Sequence, residues 1–260
     1  MIKKLKEEDN AQLSEFLAEE RSMNLFIIGD IEAFGYDTDF QELWGDFSES
    51  GKLRAVLLRY FEMFIPYAKG PFDVEGFGNI IKKCCSSPIL SGKKEIAEQF
   101  EHMSGLNLGE KNETYFAELL SLSEIGTSDH SIKKATIEDI DRIIGLRSSI
   151  GEFKMGPNAR DLLLKTFESK TGRTYYMEEE GRMIASASTT AESSNAAMIV
   201  AVCSLKEYRR QGFATAVMQR LICDMLAENK VLCLFYSNPK AGRIYKRLGF
   251  KDIGMWTMFR

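Results

Sequence analysis

The run Tyr208-Arg209-Arg210-Gln211-Gly212-Phe213-Ala214-Thr215 places two arginines and a glycine directly before a predicted helix. The first backbone N–H groups of a helix have no partner within it, and the positive end of the helix dipole lies there, so such a start can bind phosphate oxygens. Gly212 leaves room for a close backbone approach, Ala214 keeps the next turn small, and the arginines add positive charge. The run predicts a diphosphate site; a plain helix start with two solvated arginines is the alternative.

Two further residues that could do chemistry lie near the end of the chain. Asn238-Pro239 is typical of an N-cap followed by proline at the first helical position. Tyr245 follows seven residues later, and seven steps of about 100° return nearly to the starting helix face, so both side chains can line one groove. A structural cap at Asn238 and an ordinary amphipathic core tyrosine at Tyr245 remain alternatives.

Hydrophobic periodicity predicts the elements that must position these residues. The helix starting at Gly212 carries Val217, Leu221 and Met225 on one face. The predicted order, β-α-α-β-β-β-α-β-α-β-β, indicates a mixed α/β fold with helices on both faces of a mixed sheet. Predicted strands cover residues 131–135, 173–179, 183–189, 196–204, 231–236, 251–254 and 256–259, and predicted helices cover 138–149, 159–168, 212–228 and a segment from 238.

Length and composition exclude several classes of protein. The 260 residues, 44% of them apolar, predict one large domain or two of about 130 residues. No apolar run approaches the roughly 18–20 residues of a membrane span, and no secretory signal follows Met1. The five cysteines form no C-x-x-C pair. Free thiols in a reducing cytosol are expected, so we predict a cytoplasmic protein. With only His102 and His130, no His-rich metal site is expected.

Charge differs between the two halves of the chain. Residues 1–130 hold 13 basic and 24 acidic side chains, whereas residues 131–260 hold 21 basic and 14 acidic. The second half is therefore suited to an anionic ligand, and the first half to something cationic. Drift in surface charge is the alternative interpretation. No basic run reaches five residues, which argues against nucleic-acid binding.

The two halves also share a pattern. Residues 2–9 match residues 132–139 at five of eight positions. Gly76-Phe77 opens a predicted helix as Gly212-Phe213 does, and Ser91 precedes a helix as Asn238 does. Three matches in the same order predict a tandem repeat. The boundary is expected at Ser123–Ser131, where turn-forming residues are frequent.

Residues of the second half carry a resemblance to a known family. Arg209-x-x-Gly212-x-Ala214 resembles motif A of the GNAT superfamily of N-acetyltransferases. The runs Leu234–Pro239 and Ile244-Tyr245-x-x-Leu248-Gly249-Phe250 resemble motif B. The resemblance covers about 132–260 and is weaker over the first half. It implies two GNAT-like domains, 1–126 and 131–260, each a mostly antiparallel mixed sheet flanked by helices.

The resemblance implies roles for particular residues. Acetyl-CoA would be the co-substrate, a primary amine would attack it directly, and no metal would take part. Val202 and Ser204 would meet the pantetheine arm, an N–H near Cys203 would polarise the thioester carbonyl, and Asn238 would meet the same arm. Tyr245 would protonate the departing thiolate. The diphosphate would lie against backbone N–H groups of Arg209, Arg210, Gln211, Gly212, Phe213, Ala214 and Thr215.

The general base has two candidates. An alkyl ammonium with a pKa near ~10 must lose a proton before its nitrogen attacks. Glu152 follows the first helix of the second half, and Glu192 precedes the long strand. Either carboxylate could reach a substrate groove, and for each an ordinary surface carboxylate is the alternative.

The first half lacks the corresponding chemistry. Aligning Gly76 with Gly212 places Asp73 opposite Arg209 and Glu75 opposite Gln211, and carboxylates repel a diphosphate. Glu98 stands where Tyr245 does. We therefore expect a degenerate copy that binds no coenzyme A.

Partners and alternative functions remain open at the level of sequence. The acidic first half favours a small cationic amine as acceptor, with no nucleic acid and no membrane, in a monomer or homodimer. A non-catalytic acyl-CoA sensor is the main alternative, and an interaction protein that binds no acyl-CoA is a third.

Overall fold

The computed structural model describes residues 1–121, 131–153 and 155–260. The strands are β1 (Ile2–Lys4), β2 (Gln41–Phe47), β3 (Leu53–Tyr60), β4 (Met63–Ala68), β5 (Ile89–Lys93), β6 (Lys111–Leu119), β7 (Lys133–Lys134), β8 (Thr174–Glu179), β9 (Arg182–Thr190), β10 (Ala196–Ser204), β11 (Val231–Tyr236) and β12 (Lys251–Phe259). The helices are α1 (Asn10–Ala18), α2 (Leu25–Phe34), α3 (Val74–Cys84), α4 (Lys94–Ala97), α5 (Ile140–Ser148), α6 (Ala159–Glu168), α7 (Phe213–Ala227) and α8 (Pro239–Arg247).

The chain divides into two compact units. The first unit is Met1–Phe116 together with Asp252–Arg260, and the second is Ala117–Lys251. Most of the expected boundary at Ser123–Ser131 lies outside the described residues. The division predicted from sequence, 1–126 and 131–260, also differs from these units at the C terminus, where the last nine residues join the first unit.

The first unit contains a mostly antiparallel sheet in the order β1-β2-β3-β4-β5-β12-β6. Only β4 and β5 among its recorded pairs are parallel. β12 was predicted as two short strands of the second half. It is one strand, antiparallel to β5, with Trp256 opposite Lys93 and Phe259 opposite Leu90. Burial of Trp256 and its Nε1–H bond to Ser91 Oγ, 2.8 Å long, hold β12 there.

The second unit contains the sheet β11-β10-β9-β8-β7. Its pairs are antiparallel except β10 with β11. Helix α7 buries the apolar stripe predicted from its sequence, with Val217, Leu221 and Met225 at 0% exposure. The predicted bounds of α6, β10 and β11 are confirmed. The recorded strand pairs are mixed and mostly antiparallel, as predicted.

The two units have the same order of elements: a short strand, a 3-10 turn, two helices, three antiparallel strands, a helix, a parallel strand and a helix. The sequence match at their starts has a matching geometry. Lys6 N donates to Asp9 Oδ2 at 3.0 Å, and Thr136 N donates to Asp139 Oδ2 at 3.0 Å. Both carboxylates thus fix the turn that leads into the first helix.

None of the helices in the described ranges has the length and apolar content needed to cross a bilayer. Within the same ranges, no three His, Cys, Asp or Glu side chains cluster so as to hold a metal ion. The five cysteines all lie within the described ranges and none forms a disulfide; Cys203 and Cys233 are buried.

Candidate active site

Helix α7 begins at a glycine in the left-handed region. Gly212 is the N-cap with φ 87°, and no described side chain caps the helix there. A Cβ at this position would meet open space, so the positive φ is what favours glycine. Two residues earlier, Arg210 has φ 64°, a conformation that costs a non-glycine residue about 1–3 kcal/mol. The predicted phosphate loop is thus a bent, uncapped helix start.

Strand β10 contains a bulge. Val200 pairs with Ser188 and Cys203 with Ser186, so Ala201 and Val202 lie opposite the single residue Ala187. Ala201 has φ 51°, as expected at the distorted position of a bulge. The bulge takes backbone groups of β10 out of the ladder. The bulge overlaps the start of the predicted pantetheine residues Val202–Ser204.

The parallel strands β10 and β11 pair over only part of their length. Their register runs from Ala196 opposite Val231 to Ile199 opposite Leu234. This register ends next to the bulge, and the sequence predicts the acyl carrier there.

Arg209 is held by one of the predicted bases. Its Nη1 lies 3.0 Å from Glu152 Oε1, and its Nη2 donates to Glu152 Oε2 at 3.1 Å. The hydrogen bonds from Arg209 hold the pKa of the Glu152 carboxyl below its ordinary value. A carboxylate with a lowered pKa that is engaged by an arginine is a poor base. Glu152 therefore pairs with Arg209, the cation that a diphosphate would contact.

Glu192 belongs to a buried ion-pair network. Its side chain is 1% exposed, with Arg173 Nη2 at 2.6 Å and Lys230 Nζ at 3.1 Å from Oε2. Thr189 also donates to it. Burial favours a higher pKa for Glu192, but the hydrogen bonds from Arg173, Thr189 and Lys230 outweigh burial and lower it. This geometry gives Glu192 a structural role and argues against the predicted role as base.

Residues of motif B take the predicted positions on α8. Asn238 is the N-cap, its Oδ1 accepting from Lys240 N at 2.9 Å, and Pro239 begins the helix. The Tyr245 ring lies 5.8 Å from that of Tyr236, the residue at the end of β11. Burial raises the pKa of Tyr245, so its phenol stays protonated through neutral pH. A protonated phenol beside the end of β11 suits a general acid.

The Cys203 thiol faces the interior of the second unit. It is 7% exposed, and its Sγ lies 3.4 Å from Ser186 Oγ. Burial raises the pKa of Cys203, which disfavours the thiolate that a nucleophile requires. The geometry agrees with a role for the backbone at Cys203 and not for its side chain.

The sequence interpretation missed Arg147. It lies on α5 four residues after Ile143, which is fully buried, and so continues an apolar stripe with a charged residue. Burial lowers the pKa of its guanidinium. A charge at an inward helical position was the available signal.

In the first unit, the side chain of the N-cap residue caps the start of α3. Asp73 is the N-cap, and its Oδ1 accepts from Gly76 N at 2.8 Å. The alignment of Gly76 with Gly212 is therefore wrong by three residues, because Gly76 is the third residue inside α3 whereas Gly212 precedes α7. Asp73 takes the position of Gly212 instead.

The alignment of Ser91 with Asn238 is wrong as well. Ser91 lies within β5, and the residue that precedes α4 is Lys93. Glu98, aligned with Tyr245, follows α4 and pairs with Lys111 at 2.7 Å. The first unit thus has neither the open helix start nor the phenol.

The role of Glu192 can be tested by Glu192→Gln. Removing a buried carboxylate that pairs with two cations should lower the free energy of unfolding by about 3 kcal/mol, measured by urea denaturation at pH 7. Because the pKa of Glu192 is lowered in the folded state, its contribution is present above about pH 4.3 and disappears as the pH falls through the folded pKa. The variant should therefore lose less stability than the parent between pH 7 and pH 3.

Glu168→Gln, on the exposed end of α6, is the matched control and should change neither quantity. A normal unfolding free energy for Glu192→Gln, combined with a fall in acetyl transfer of about 100-fold or more, would contradict the structural role.

Comparison with known proteins supports the fold of both units. Residues 161–259 match the family model described as GNAT acetyltransferase. A search of curated proteins found no match. Among solved structures, a Drosophila protein shares the fold with a TM-score of 0.68 at 11% identity, covering 100% of this chain and 98% of that one.

Two bacterial structures give the same result. A GCN5-related N-acetyltransferase from Sphaerobacter thermophilus has a TM-score of 0.64 at 12% identity, covering 100% of this chain and 94% of that one. A GCN5-related N-acetyltransferase from Kribbella flavida has a TM-score of 0.60 at 14% identity, covering 92% and 95%. At such identities the structures establish the fold alone. The chain therefore has the GNAT fold, and residues 161–259 are similar to the GNAT acetyltransferase family.

Proposed function

We propose that the second unit transfers an acetyl group from acetyl-CoA to the primary amine of a small molecule by direct attack. The observation that carries this proposal is the uncapped start of α7 at Gly212, flanked by Arg209 and Arg210. Backbone N–H groups from there to Thr215, including those of Gln211, Phe213 and Ala214, would bind the diphosphate. The bulge in β10, next to the end of its register with β11, would meet the pantetheine arm, which Asn238 would also meet.

The chemical step needs two kinds of help. A backbone N–H near Cys203, released by the bulge, would stabilise the oxyanion that forms on the thioester carbonyl, and one such donor contributes about 3–4 kcal/mol. Protonation stabilises the departing thiolate, because the reference pKa of a thiol is ~8.5. Tyr245 can supply it because burial keeps its phenol protonated.

The proposed reaction requires neither Glu152 nor Glu192 as a base. Glu152 is paired with Arg209 and Glu192 with Arg173 and Lys230. We expect the acceptor ammonium to release its proton to solvent and to enter the site as the neutral amine. Only acceptors whose amine is deprotonated in solution would then react, so the rate should rise with pH toward the pKa of the acceptor.

We also propose that the first unit is a degenerate copy that binds no coenzyme A. The matching order of elements supports the duplication. The Asp73 carboxylate at the start of α3 supports the loss of binding, because it accepts the Gly76 N–H and would repel a diphosphate.

The Tyr245→Phe variant separates an enzyme from a sensor. An enzyme should lose turnover by about 100-fold or more when its general acid is removed, while calorimetry with acetyl-CoA gives an unchanged Kd. Turnover is followed by thiol release with a panel of primary amines. Tyr236→Phe, on the neighbouring ring, is the control and should retain most of the activity. Full turnover in Tyr245→Phe would argue against the acid role, and a parent protein that binds acetyl-CoA without turnover would favour the sensor.

The Glu152→Gln variant tests the base. The Arg209–Glu152 pair is exposed, with side chains 42% and 66% accessible, and such pairs contribute at most about 1 kcal/mol. Releasing Arg209 should lower the Kd for acetyl-CoA by about twofold to fivefold and leave kcat unchanged. Glu168→Gln should change neither value. A fall in kcat of about 100-fold or more with normal cofactor affinity would restore Glu152 as the base.

A further inference from the structure

The second unit contains a cavity of about 490 Å³ that none of the predicted site residues explains. One wall comes from α6 and the segment before it, and the other comes from the ends of β8 and β9 and from Val200 of β10. Cavities of roughly 300–1,000 Å³ hold small molecules. The cavity is large enough for an amine acceptor.

Arg147 supplies the unbalanced charge of this cavity. Its Nη2 donates to Ser188 Oγ at 2.6 Å, and its buried Nε has no partner among the described residues. No described carboxylate pairs with it. Arg173, which lines the same cavity, is neutralised by Glu192 and Glu228 at 2.6 Å and 2.5 Å.

A half-buried guanidinium without an anion is unfavourable, because burial removes water that no carboxylate replaces. The described residues that line the cavity include no Asp or Glu. Ser188 is itself fixed, since its Oγ lies 2.7 Å from Thr174 Oγ1. The guanidinium is therefore held in place by hydroxyl groups, with donors left for an anion from outside, and a planar guanidinium suits a carboxylate.

The position of Arg147 relates it to the predicted reaction site. Ser188, which holds the guanidinium, is the register partner of Val200. Val200 lines the cavity and directly precedes the bulge at Ala201. Register partners lie about 4.5–5.5 Å apart. An anion on Arg147 would therefore lie close to the backbone that should polarise the thioester.

The part of the cavity formed by α6 and the segment before it is mostly apolar. Leu163 and Phe167 line it with Met155 and Pro157, beside the polar Asn158 and Thr166. The acceptor that fits this arrangement has a carboxylate for Arg147, an amine one carbon away that reaches the bulge, and a hydrocarbon group for α6.

We infer that the acceptor is an apolar α-amino acid, bound through its carboxylate by Arg147. The inference rests on the acetyl transfer proposed above. The neutral amine nitrogen attacks the thioester carbon, a C–N bond forms and the C–S bond breaks. The nitrogen gives up one proton to solvent, the leaving sulfur takes one from Tyr245, which regains a proton from solvent, and the products are the N-acetyl amino acid and coenzyme A. The cationic acceptor expected from the acidic first half does not suit a cavity whose free charge is positive.

The test compares acceptors that differ in one group. Leucine, leucinamide, 3-methylbutylamine and spermidine are supplied with acetyl-CoA to the full-length protein, and thiol release gives kcat/KM. Rates are compared per concentration of neutral amine, because the acceptors differ in amine pKa. Leucine should then exceed each of the others by about 10-fold or more, since a hydrogen-bonded charge contributes that much. Arg147→Gln should lower kcat/KM for leucine by about 10- to 100-fold and change that for 3-methylbutylamine by less than about threefold.

Two variants keep the test decisive. Arg147→Lys retains the positive charge but lacks the paired N–H donors of a guanidinium. It should be more active with leucine than Arg147→Gln. Arg160→Gln removes an exposed arginine of α6 that pairs with Asp141 and should leave the preference unchanged. Thermal unfolding shows whether each variant is folded; if Arg147→Gln is not, the acceptor series and Arg147→Lys still decide.

Separate binding measurements distinguish the two proposals. Calorimetry with leucine alone should show binding that Arg147→Gln loses, and calorimetry with acetyl-CoA tests the transfer independently. Equal rates with leucine and 3-methylbutylamine, or a preference for spermidine, would overturn the inference while leaving acetyl transfer intact. Leucine binding through Arg147 without any acetyl-CoA binding would support the carboxylate site and sink the proposed function.

Discussion

The proposed cofactor site depends on the start of α7, where no side chain of the described residues caps the backbone N–H groups. Most helices satisfy these groups with Ser, Thr, Asp or Asn at the N-cap, and Asp73 does so for α3. Gly212 cannot, because it has no side chain. The result is a site that favours an anion supplied from outside. The arginines before it strengthen that preference, and Glu152 pairs with one of them, Arg209.

A single helix start would bind any phosphate, and the strands next to it make the site more specific. The parallel register of β10 and β11 runs as far as Ile199 and Leu234. The bulge at Ala201 lies just beyond, so β10 releases backbone groups where this register ends. The cavity with Arg147 reaches β10 at Val200. The diphosphate, the thioester and the acceptor can thus be arranged along one strand.

The sequence predicted features that depend on local chemistry. The helix start at Gly212, the Asn238-Pro239 helix start and the apolar stripe of α7 all follow from nearby residue types, and all are present. A Gly-Phe dipeptide does not distinguish a helix cap from a helix interior, and the alignment of Gly76 with Gly212 was wrong for that reason. Ser91 was misplaced similarly, because a short apolar run before a helix does not show where its strand ends.

Features that depend on distant residues could not be read from the sequence. The partners of Glu192 lie 19 and 38 residues away, so its enclosure in an ion-pair network was invisible. β12 pairs with β5, whose residues precede it by more than 160 positions, which moved the last strand into the first unit. Arg147 was the intermediate case: its place on an apolar helix face was visible, but the absence of a carboxylate around it was not.

The most direct measurement is an amide chemical-shift titration with acetyl-CoA, because it reports on the backbone groups themselves. The N–H signals of residues 210–215 should shift in a saturable way, while those of residues 74–76 at the start of α3 stay unchanged. Unchanged signals at 210–215, or shifts confined to the start of α3, would contradict the claim that the uncapped helix at Gly212 binds the diphosphate.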